Sequence, residues 1–413
     1  MAALAGCDES SSTGRPGTEV SSAQPRALVP SLNDADRAAL RRSNLGFAAD
    51  VYGTLRQRPD NLVFSPVSMT LAMAMLHAGA RGETEGQIAQ ALRFELPQER
   101  LHPALNWLDS RLASREGDDD ELSLRVVSAS FGQRGYDFLP AYLDVLAENY
   151  GAGMSLLDFA GAPEDARLDI NDWVAVETQD RIPDLLPPGS VTSDTVLALV
   201  NAVYFKADWL FPFSPQRTSS ETFYAPDGEV QVDMMHGRPR SCWYYAGDGY
   251  QAIALAFRSD GVTEGRGLEM VFILPDEGGF EDFEAALDGA LLDEIISGLE
   301  EGDVILDLPR FEFSADIDMI EMLTELGLRD AFSTAADFSG INGRRDLMVT
   351  EARHEAFIST NETGVEATAA TVAISEPVSL TIQLTFDRPF LFLIRDVETD
   401  APLFLGRVLN PTL

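Results

Sequence analysis

The chain has 413 residues, 45% of them hydrophobic, enough for one large core or for two to three ordinary domains. Its 67 acidic residues against 30 basic ones give a formal net charge of -37, so nucleic acid and anionic membrane surfaces repel most of its faces and no polyanion partner is expected. The acidic residues are dispersed, with only short runs such as Glu116 to Glu121, the pattern of a solvated surface rather than an interaction tail.

Lys206 is the only lysine and arginine supplies the other positive charge, a composition expected of a GC-rich bacterial source. At the N-terminus, Leu4-Ala5-Gly6-Cys7 is similar to the bacterial lipobox, whose cysteine becomes the lipidated first residue. The charged segment and most of the apolar core of a signal peptide do not precede it. Either the numbering starts too far downstream or the match is accidental. Asp8 to Pro30 is rich in Ser, Thr, Gly and Pro, the composition of a flexible tether. The expectation is a lipoprotein anchored at Cys7, located outside the cell, in a periplasm or on a cell surface, with residues 1–33 as tether and 34–413 as one domain. No later stretch approaches the roughly eighteen uncharged apolar residues of a membrane span. The second cysteine, Cys242, lies in a strand-like Ser-Cys-Trp-Tyr-Tyr run and reads as a buried free thiol.

Helical periodicity begins at Asp34 and runs to Leu55, with Asn33 or Asp34 available as N-cap. Ser68 to Ala80 is almost wholly apolar and reads as a helix buried on nearly all sides. Further helices are expected over Glu83 to Leu92, Gln98 to Ala113, Pro140 to Tyr150 and Ala162 to Thr178. From Val196 the pattern shifts to strands: Val196 to Phe205, Glu229 to Met235, Cys242 to Tyr245, Gln251 to Phe257, Leu268 to Leu274, Val304 to Leu308 and Phe386 to Arg395. Helices recur at Phe280 to Leu299 and Ile317 to Leu326. Strands and helices interleave without a βαβ rhythm, which predicts an α+β domain with large mixed or antiparallel sheets.

Enzyme motifs are sparse. The four histidines, His77, His102, His236 and His354, share no metal-ligand spacing. No Gly-x-Ser-x-Gly elbow, Walker loop or Gly-x-Gly-x-x-Gly turn occurs, and no cofactor or metal is expected. A dispersed Ser/His/Asp set remains open, because such a triad is defined by geometry. His354 is the histidine most easily read as a general base, and equally as a structural hydrogen-bonding group.

Gly364 to Thr371 reads Gly-Val-Glu-Ala-Thr-Ala-Ala-Thr. As a strand it places Val365, Ala367, Ala369, Thr371 and Ala373 on one face and Glu366, Thr368, Ala370 and Val372 on the other. Uniformly small residues suit a strand that slides between two others, although the segment taken alone reads more simply as an ordinary linker or edge strand.

The flanking sequence decides for a family. Asn61-Leu-Val-Phe-Ser-Pro-Val-Ser68, Gly79-Ala-Arg-Gly-Glu-Thr84, Leu199-Val-Asn-Ala-Val-Tyr-Phe-Lys-Ala-Asp-Trp209 with Pro212-Phe213, Asp337-Phe-Ser-Gly340 and Pro402-Leu-Phe-Leu-Gly-Arg-Val-Leu-Asn-Pro-Thr412 together resemble the serpins, inhibitors of serine proteases. The resemblance implies a metastable α+β fold of three β-sheets and eight to nine helices, with an exposed reactive-centre loop at about 362–385. It implies a suicide substrate rather than an enzyme: a serine protease cleaves the loop, stays joined to it as an acyl-enzyme in a covalent 1:1 complex, and the freed hinge inserts into the central sheet. A non-inhibitory binding protein of the same fold is the alternative.

Residue by residue, the resemblance puts Ser65, Ser68, Asn201 and His354 in a polar cluster beneath the opening sheet and Trp209 where insertion begins. The hinge comprises Glu362, Gly364, Val365, Glu366, Ala367, Thr368, Ala369, Ala370 and Thr371. Glu362 is expected to pair with Arg310, contributing about 1 kcal/mol if largely exposed. Val365 departs from the usual Thr or Ser. The resemblance, through the family's usual loop spacing from Gly364, implies a scissile bond between Val378 and Ser379, with Pro377, Glu376 and Leu380 shaping recognition, which suits an elastase-like protease with a shallow apolar pocket; cleavage at Ile374 or Leu380 would instead suit subtilisin- or chymotrypsin-like enzymes. No basic helix resembling a heparin site is present. The expected molecule is a monomer that meets a membrane only through a lipid anchor.

Overall fold

Helix boundaries follow local chemistry in the computed structural model, which describes residues 15–29, 31–115, 122–239, 241–258, 267–365 and 382–413. After strand β1 (Thr18–Val20), helix α1 (Asp34–Leu55) is capped by Asn33, whose side chain accepts the Asp36 amide at 2.9 Å. Strand β2 (Leu62–Phe64) leads into α2 (Pro66–Gly79). Ser65 caps that helix, Pro66 presets its first turn, and all of its residues are buried. Next come α3 (Gly82–Ala91), α4 (Gln98–Ala113), β3 (Leu122–Gln133), α5 (Pro140–Tyr150), β4 (Met154–Leu157) and α6 (Pro163–Glu177). Gly151 ends α5 in the left-handed region at φ 59°.

Strands then dominate: β5 (Leu197–Asp208), β6 (Ser219–Ala225), β7 (Gly228–Gly237), β8 (Cys242–Gly247), β9 (Tyr250–Ala256) and β10 (Leu268–Pro275). Helices α7 (Phe280–Ala286) and α8 (Gly289–Gly298) precede β11 (Glu300–Gly302), β12 (Val304–Pro309) and β13 (Phe311–Asp318). The chain continues through α9 (Met319–Glu325), α10 (Ser339–Asn342), β14 (Val349–Thr360), β15 (Gly364–Val365), β16 (Ile382–Thr385), β17 (Phe390–Asp396) and β18 (Pro402–Val408).

The strands form three sheets within one α+β architecture. The central sheet runs β1-β4-β3-β5-β15-β14-β13, the second β11-β8-β9-β10-β17-β18-β2, and the third β16-β12-β7-β6. Strand β5 is apolar on both faces. Ala198, Val200 and Ala202 pack under α6 with Trp173 and Val174, whereas Leu197, Leu199, Val203 and Phe205 face the main core. Helix α2 lies against that inner face, which explains its burial all round. No helix among the described residues is long and apolar enough to cross a membrane.

Several expected elements are redrawn. The helix expected over Phe280 to Leu299 is two helices, because Asp288 caps a new start by accepting the Leu291 amide at 2.8 Å. Gly289 then lies so close to α1 that a Cβ there would sit 2.8 Å from Gly46 Cα. Ile317 and Asp318 end β13 instead of opening a helix; Asp318 caps α9. With that split and the single turn of α10, ten α-helices occur among the described residues.

The stretch expected to be a flexible tether is bound to the domain from residue 15 to residue 29. Strand β1 pairs antiparallel with β4, and the Arg26 guanidinium bonds Asn106 Oδ1 at 2.8 Å and Asp109 at 2.5 Å. Low apolar content suggested a free chain, but a strand edge and an ion pair bind backbone and charge and need no apolar side chains. Cys242 is buried as a free thiol, its pKa pushed up to about 11 by burial. Cys7 lies outside the described residues.

Candidate functional site

The centre of the molecule is the seam between β5 and β14. These strands pair in parallel from Val349↔Leu197 to Phe357↔Tyr204, and above that point they diverge. Into the divergence steps β15, pairing antiparallel with β14 at Thr360↔Val365 and with β5 at Gly364↔Asp208 and Val365↔Ala207. A two-residue wedge therefore occupies the top of a gap that is closed below.

A tight turn places the wedge. The Asn361 side-chain oxygen accepts the Thr363 amide at 3.0 Å and the Thr363 hydroxyl at 2.7 Å, and the Asn361 amide donates to Gly364 O at 2.9 Å. A Cβ at Gly364 would lie 2.1 Å from Ala207 O and 2.6 Å from Asp208 Cα, so only glycine lets the chain approach β5 this closely. Trp209 braces the turn: its amide donates to Thr363 O at 2.7 Å and its indole N–H to Asn361 O at 3.0 Å, while its ring stacks on Phe257 at 4.8 Å. Val365 is fully buried beside these groups.

Glu362 pairs with Arg310 and is itself 4% exposed, so the pair is half-buried rather than largely exposed. Its carboxylate takes two hydrogen bonds from Arg310, Nε to Oε2 at 2.9 Å and an η nitrogen to Oε1 at 2.5 Å, and a third from the Thr218 hydroxyl. Burial pushes the carboxyl pKa up, but those bonds, together with one from the backbone, outweigh it and hold the group below its ordinary value. Arg310 also reaches Asp233 at 3.2 Å.

Below the wedge, the polar cluster lies inside an apolar layer. Ser65 N–H donates to His354 Nε2 at 3.1 Å, which leaves Nδ1 as the protonated nitrogen, and Nδ1–H donates to Asn201 Oδ1 at 2.5 Å. Ser68 Oγ lies 2.8 Å from the same Asn201 oxygen, and Asn201 Nδ2 donates to Ser128 Oγ at 2.6 Å. Ser65, Ser68, Asn201 and His354 are thus brought together across α2, β5 and β14, and Ser128 extends the chain to β3. Complete burial pushes His354 down to about 3. A nitrogen that accepts a backbone N–H in a dry site cannot take up a substrate proton, so the general-base reading of His354 fails on geometry.

On the opposite face, the chain following α6 crosses the seam. The Arg181 guanidinium sits 5.2 Å from the Phe357 ring centroid. Next to it, Glu355 is pushed up to about 7 by burial, with Asp316 and Asp184 adding to the shift and a hydrogen bond from Ser314 opposing it.

Glu366, Ala367, Thr368, Ala369, Ala370 and Thr371 of the hinge, and Glu376, Pro377, Val378, Ser379 and Leu380 of the expected recognition segment, lie outside the described residues. Sequence reasoning missed Ser128, Thr218, Asp233 and Asn361. Only Asn361 carried a local signal, an Asn three residues before a Gly. Among the described residues no cluster of His, Cys, Asp and Glu is placed to hold a metal ion.

Residues 42–411 match the family model described as Serpin (serine protease inhibitor). Leukocyte elastase inhibitor of Bos taurus is 36% identical over 385 residues, covering 90% of this chain and 99% of its own. Among solved structures, the thermophilic serpin tengpin in its native state superposes with a TM-score of 0.83 at 25% identity, covering 95% of this chain and 97% of that one. Thyroxine-binding globulin complexed with thyroxine reaches 0.77 at 30% identity, covering 90% and 99%. An inhibitor family, not a catalytic one, accounts for the seam, the wedge and the buried cluster together: the chain belongs to the serpins.

Proposed function

We propose that this serpin is a suicide-substrate inhibitor of serine proteases, cut between Val378 and Ser379. The wedge at β15 is the observation that carries this reading, because Gly364 and Val365 are already hydrogen-bonded as the first residues of a new strand. The protease serine adds to the Val378 carbonyl carbon, the bond to Ser379 breaks, and the Ser379 amine leaves with a proton. Extension of β15 down the seam then replaces the parallel β5–β14 pairing with two antiparallel ladders, and parallel pairing is the weaker of the two per residue. The His354–Asn201 bond must open as it passes. Small residues at Ala367, Ala369 and Thr371 fit such a strand, and the tethered protease is carried off with its oxyanion hole distorted, so that it cannot deacylate.

Val378 after Pro377 favours an elastase-like target, and the likeness to an elastase inhibitor adds support. The encounter takes place outside the cytoplasm of a bacterium, with a lipid on Cys7 as the anchor. The test is incubation with a panel of serine proteases. A 1:1 complex that survives SDS and a released peptide beginning at Ser379 are expected; clean cleavage by every enzyme with no complex would overturn the proposal. Likeness to a thyroxine complex favours the second reading, a binding protein without inhibition, which that negative result would support.

A further inference from the structure

Positive charge is unevenly placed among the three sheets. Strands of the central sheet carry Arg125, Lys206 and Arg353, and those of the second carry Arg395 and Arg407. The third sheet is the one whose strands hold no lysine or arginine; β6, β7 and β12 carry Glu221, Glu229, Asp233 and Asp307 instead. Cations stand only at the ends of its strands, where carboxylates meet them: Arg238 bonds Asp303 at 2.7 Å, Arg310 bonds Glu362 and Asp233, and Arg388 bonds Asp387 at 3.1 Å. Arg217, before β6, is exposed, but so are Asp227, Glu229, Glu300 and Glu301 on the neighbouring turns and strands.

The sequence that joins β15 to β16 continues the pattern. From Gly364 to Asp387 it holds Glu366, Glu376 and Asp387 and no lysine or arginine. Both of its ends rest on the third sheet. Strand β16 belongs to that sheet, and Glu362, two residues before β15, takes hydrogen bonds from Thr218, next to β6, and from Arg310, next to β12. A protease that reaches Val378 therefore meets negative charge on the segment it cuts and on the sheet to which both ends of that segment are fixed.

We infer that the target is a basic serine protease, with lysine and arginine around its cleft, and that the third sheet and the segment 364–387 capture it by charge before the bond at Val378 is engaged. The inference rests on the suicide-substrate reading for the place of encounter and adds the chemistry of the partner. Val378 selects the primary pocket, whereas the surrounding charge selects the surface in which that pocket is set. Charge of this kind acts during approach: in a chain of net charge -37, a neutral or acidic protease gains nothing or is repelled over about 10 Å at 0.1 M salt, and a basic one is drawn in.

Association kinetics test the capture step. The probe is a cationic elastase, used native and after succinylation of its surface lysines, with turnover of a small substrate confirming that its catalytic site is intact. For the native enzyme the second-order rate constant of complex formation is expected to fall about tenfold or more between about 0.1 M and about 1 M salt, as the screening length shrinks to about 3 Å. The succinylated enzyme should react slowly at low salt and faster at high salt. Glu301→Lys, and Gln383→Lys on the exposed side of β16, should slow the native enzyme severalfold at low salt and not at high salt. Gln383→Met should not, nor should Asp172→Lys, exposed on α6, which packs on the central sheet. A rate indifferent to salt, equally fast trapping of the succinylated enzyme, or equal slowing by Asp172→Lys overturns the inference. If the elastase cuts the chain and no complex forms, the suicide-substrate reading fails, and the salt dependence of kcat/KM for that cut still decides whether charge captures the enzyme.

Discussion

His354 on β14 and Asn201 on β5 stand opposite each other in the parallel register, and the imidazole Nδ1–H donates to the amide oxygen at 2.5 Å. The bond therefore ties the two central strands together, and only a neutral ring leaves Nε2 able to accept the Ser65 amide. Burial holds the folded pKa at about 3, below the 6.5 of a free histidine. A depressed histidine leaves stability fully present above the unfolded value and removes it as pH falls through the window from 6.5 to about 3. At pH 5 the loss is roughly 2 kcal/mol relative to pH 8. Urea midpoints measured across that window should fall with acid, and the slope should flatten in His354→Gln, although His77 and His102, lowered by burial to about 4 and about 3, keep part of it. An unchanged slope in the variant would place the acid response elsewhere.

The hinge pair responds unequally to loss of its two partners. Arg310→Met strands a buried carboxylate with only Thr218 and backbone for company, at a cost of about 2 to 3 kcal/mol given that the arginine is partly solvated. Glu362→Gln keeps the hydrogen-bonding shape and should cost about 1 kcal/mol. Because the Glu362 pKa is depressed, its contribution is present above the free-carboxyl value and is lost as pH falls below it. Thermal melting at pH 7 should rank Arg310→Met below Glu362→Gln, and the gap should close near pH 3. Equal melting at pH 7 would mean that the pair does not brace the turn.

Glu355 is strained in the opposite sense. It faces Asp316 directly across β13 and β14, and its pKa is raised to about 7. A raised carboxyl favours the fold below its unfolded value of 4.5 and loses that advantage as pH rises toward 7. Glu355→Gln should therefore stabilise the protein by about 2 kcal/mol at pH 8, with allowance for partial exposure, and by almost nothing at pH 4. A stabilisation independent of pH would assign the gain to packing instead.

The sequence disclosed its helices more readily than its central sheet, for physical reasons. Caps such as Asn33 and Ser65 and unbroken apolar periodicity act within a few residues, so α1, α2, α5 and α6 were legible within a few residues at each end. Strands β3 and β14 were not read at all. In β14, Arg353, Glu355 and Phe357 lie on the outer face and His354 and Ala356 on the inner, so charge and apolar character mix wherever a partner element covers both sides. The break before Asp288 was invisible because apolar spacing continues across it, and only the neighbouring α1 shows why Gly289 is there. Ser65, Ser68, Asn201 and His354 were found through resemblance. Ser128 and Thr218 were not, because their hydrogen-bond partners lie 73 and 144 residues away and nothing local marks them.

The N-terminal arm is where composition misled most, and it carries the last prediction. Gly17, at φ 90°, and Gly153 let β1 lie against β4: a Cβ on the first would sit 2.5 Å from Leu156 O, and one on the second 2.7 Å from Val20 O. Arg15 then reaches Ser128 O at 3.4 Å, lying 5.7 Å from the Trp173 ring of α6. Arg26 anchors the far end on α4. The arm thus bonds to β4, β3, α4 and α6 at once, and its neighbour Ser128 belongs to the cluster at the seam. Arg26→Ala should cost about 1 to 2 kcal/mol, the worth of a half-exposed ion pair plus a neutral hydrogen bond. Removing residues 1–29 should cost more, because it also exposes the β4 edge. Urea midpoints check both, and hydrogen exchange at the Met154–Leu157 amides separates a docked arm from a loose one. If the full chain and the truncated chain protect those amides equally, the arm contributes nothing to the sheet; if only the truncated chain loses protection, the arm is an integral edge strand of the central sheet.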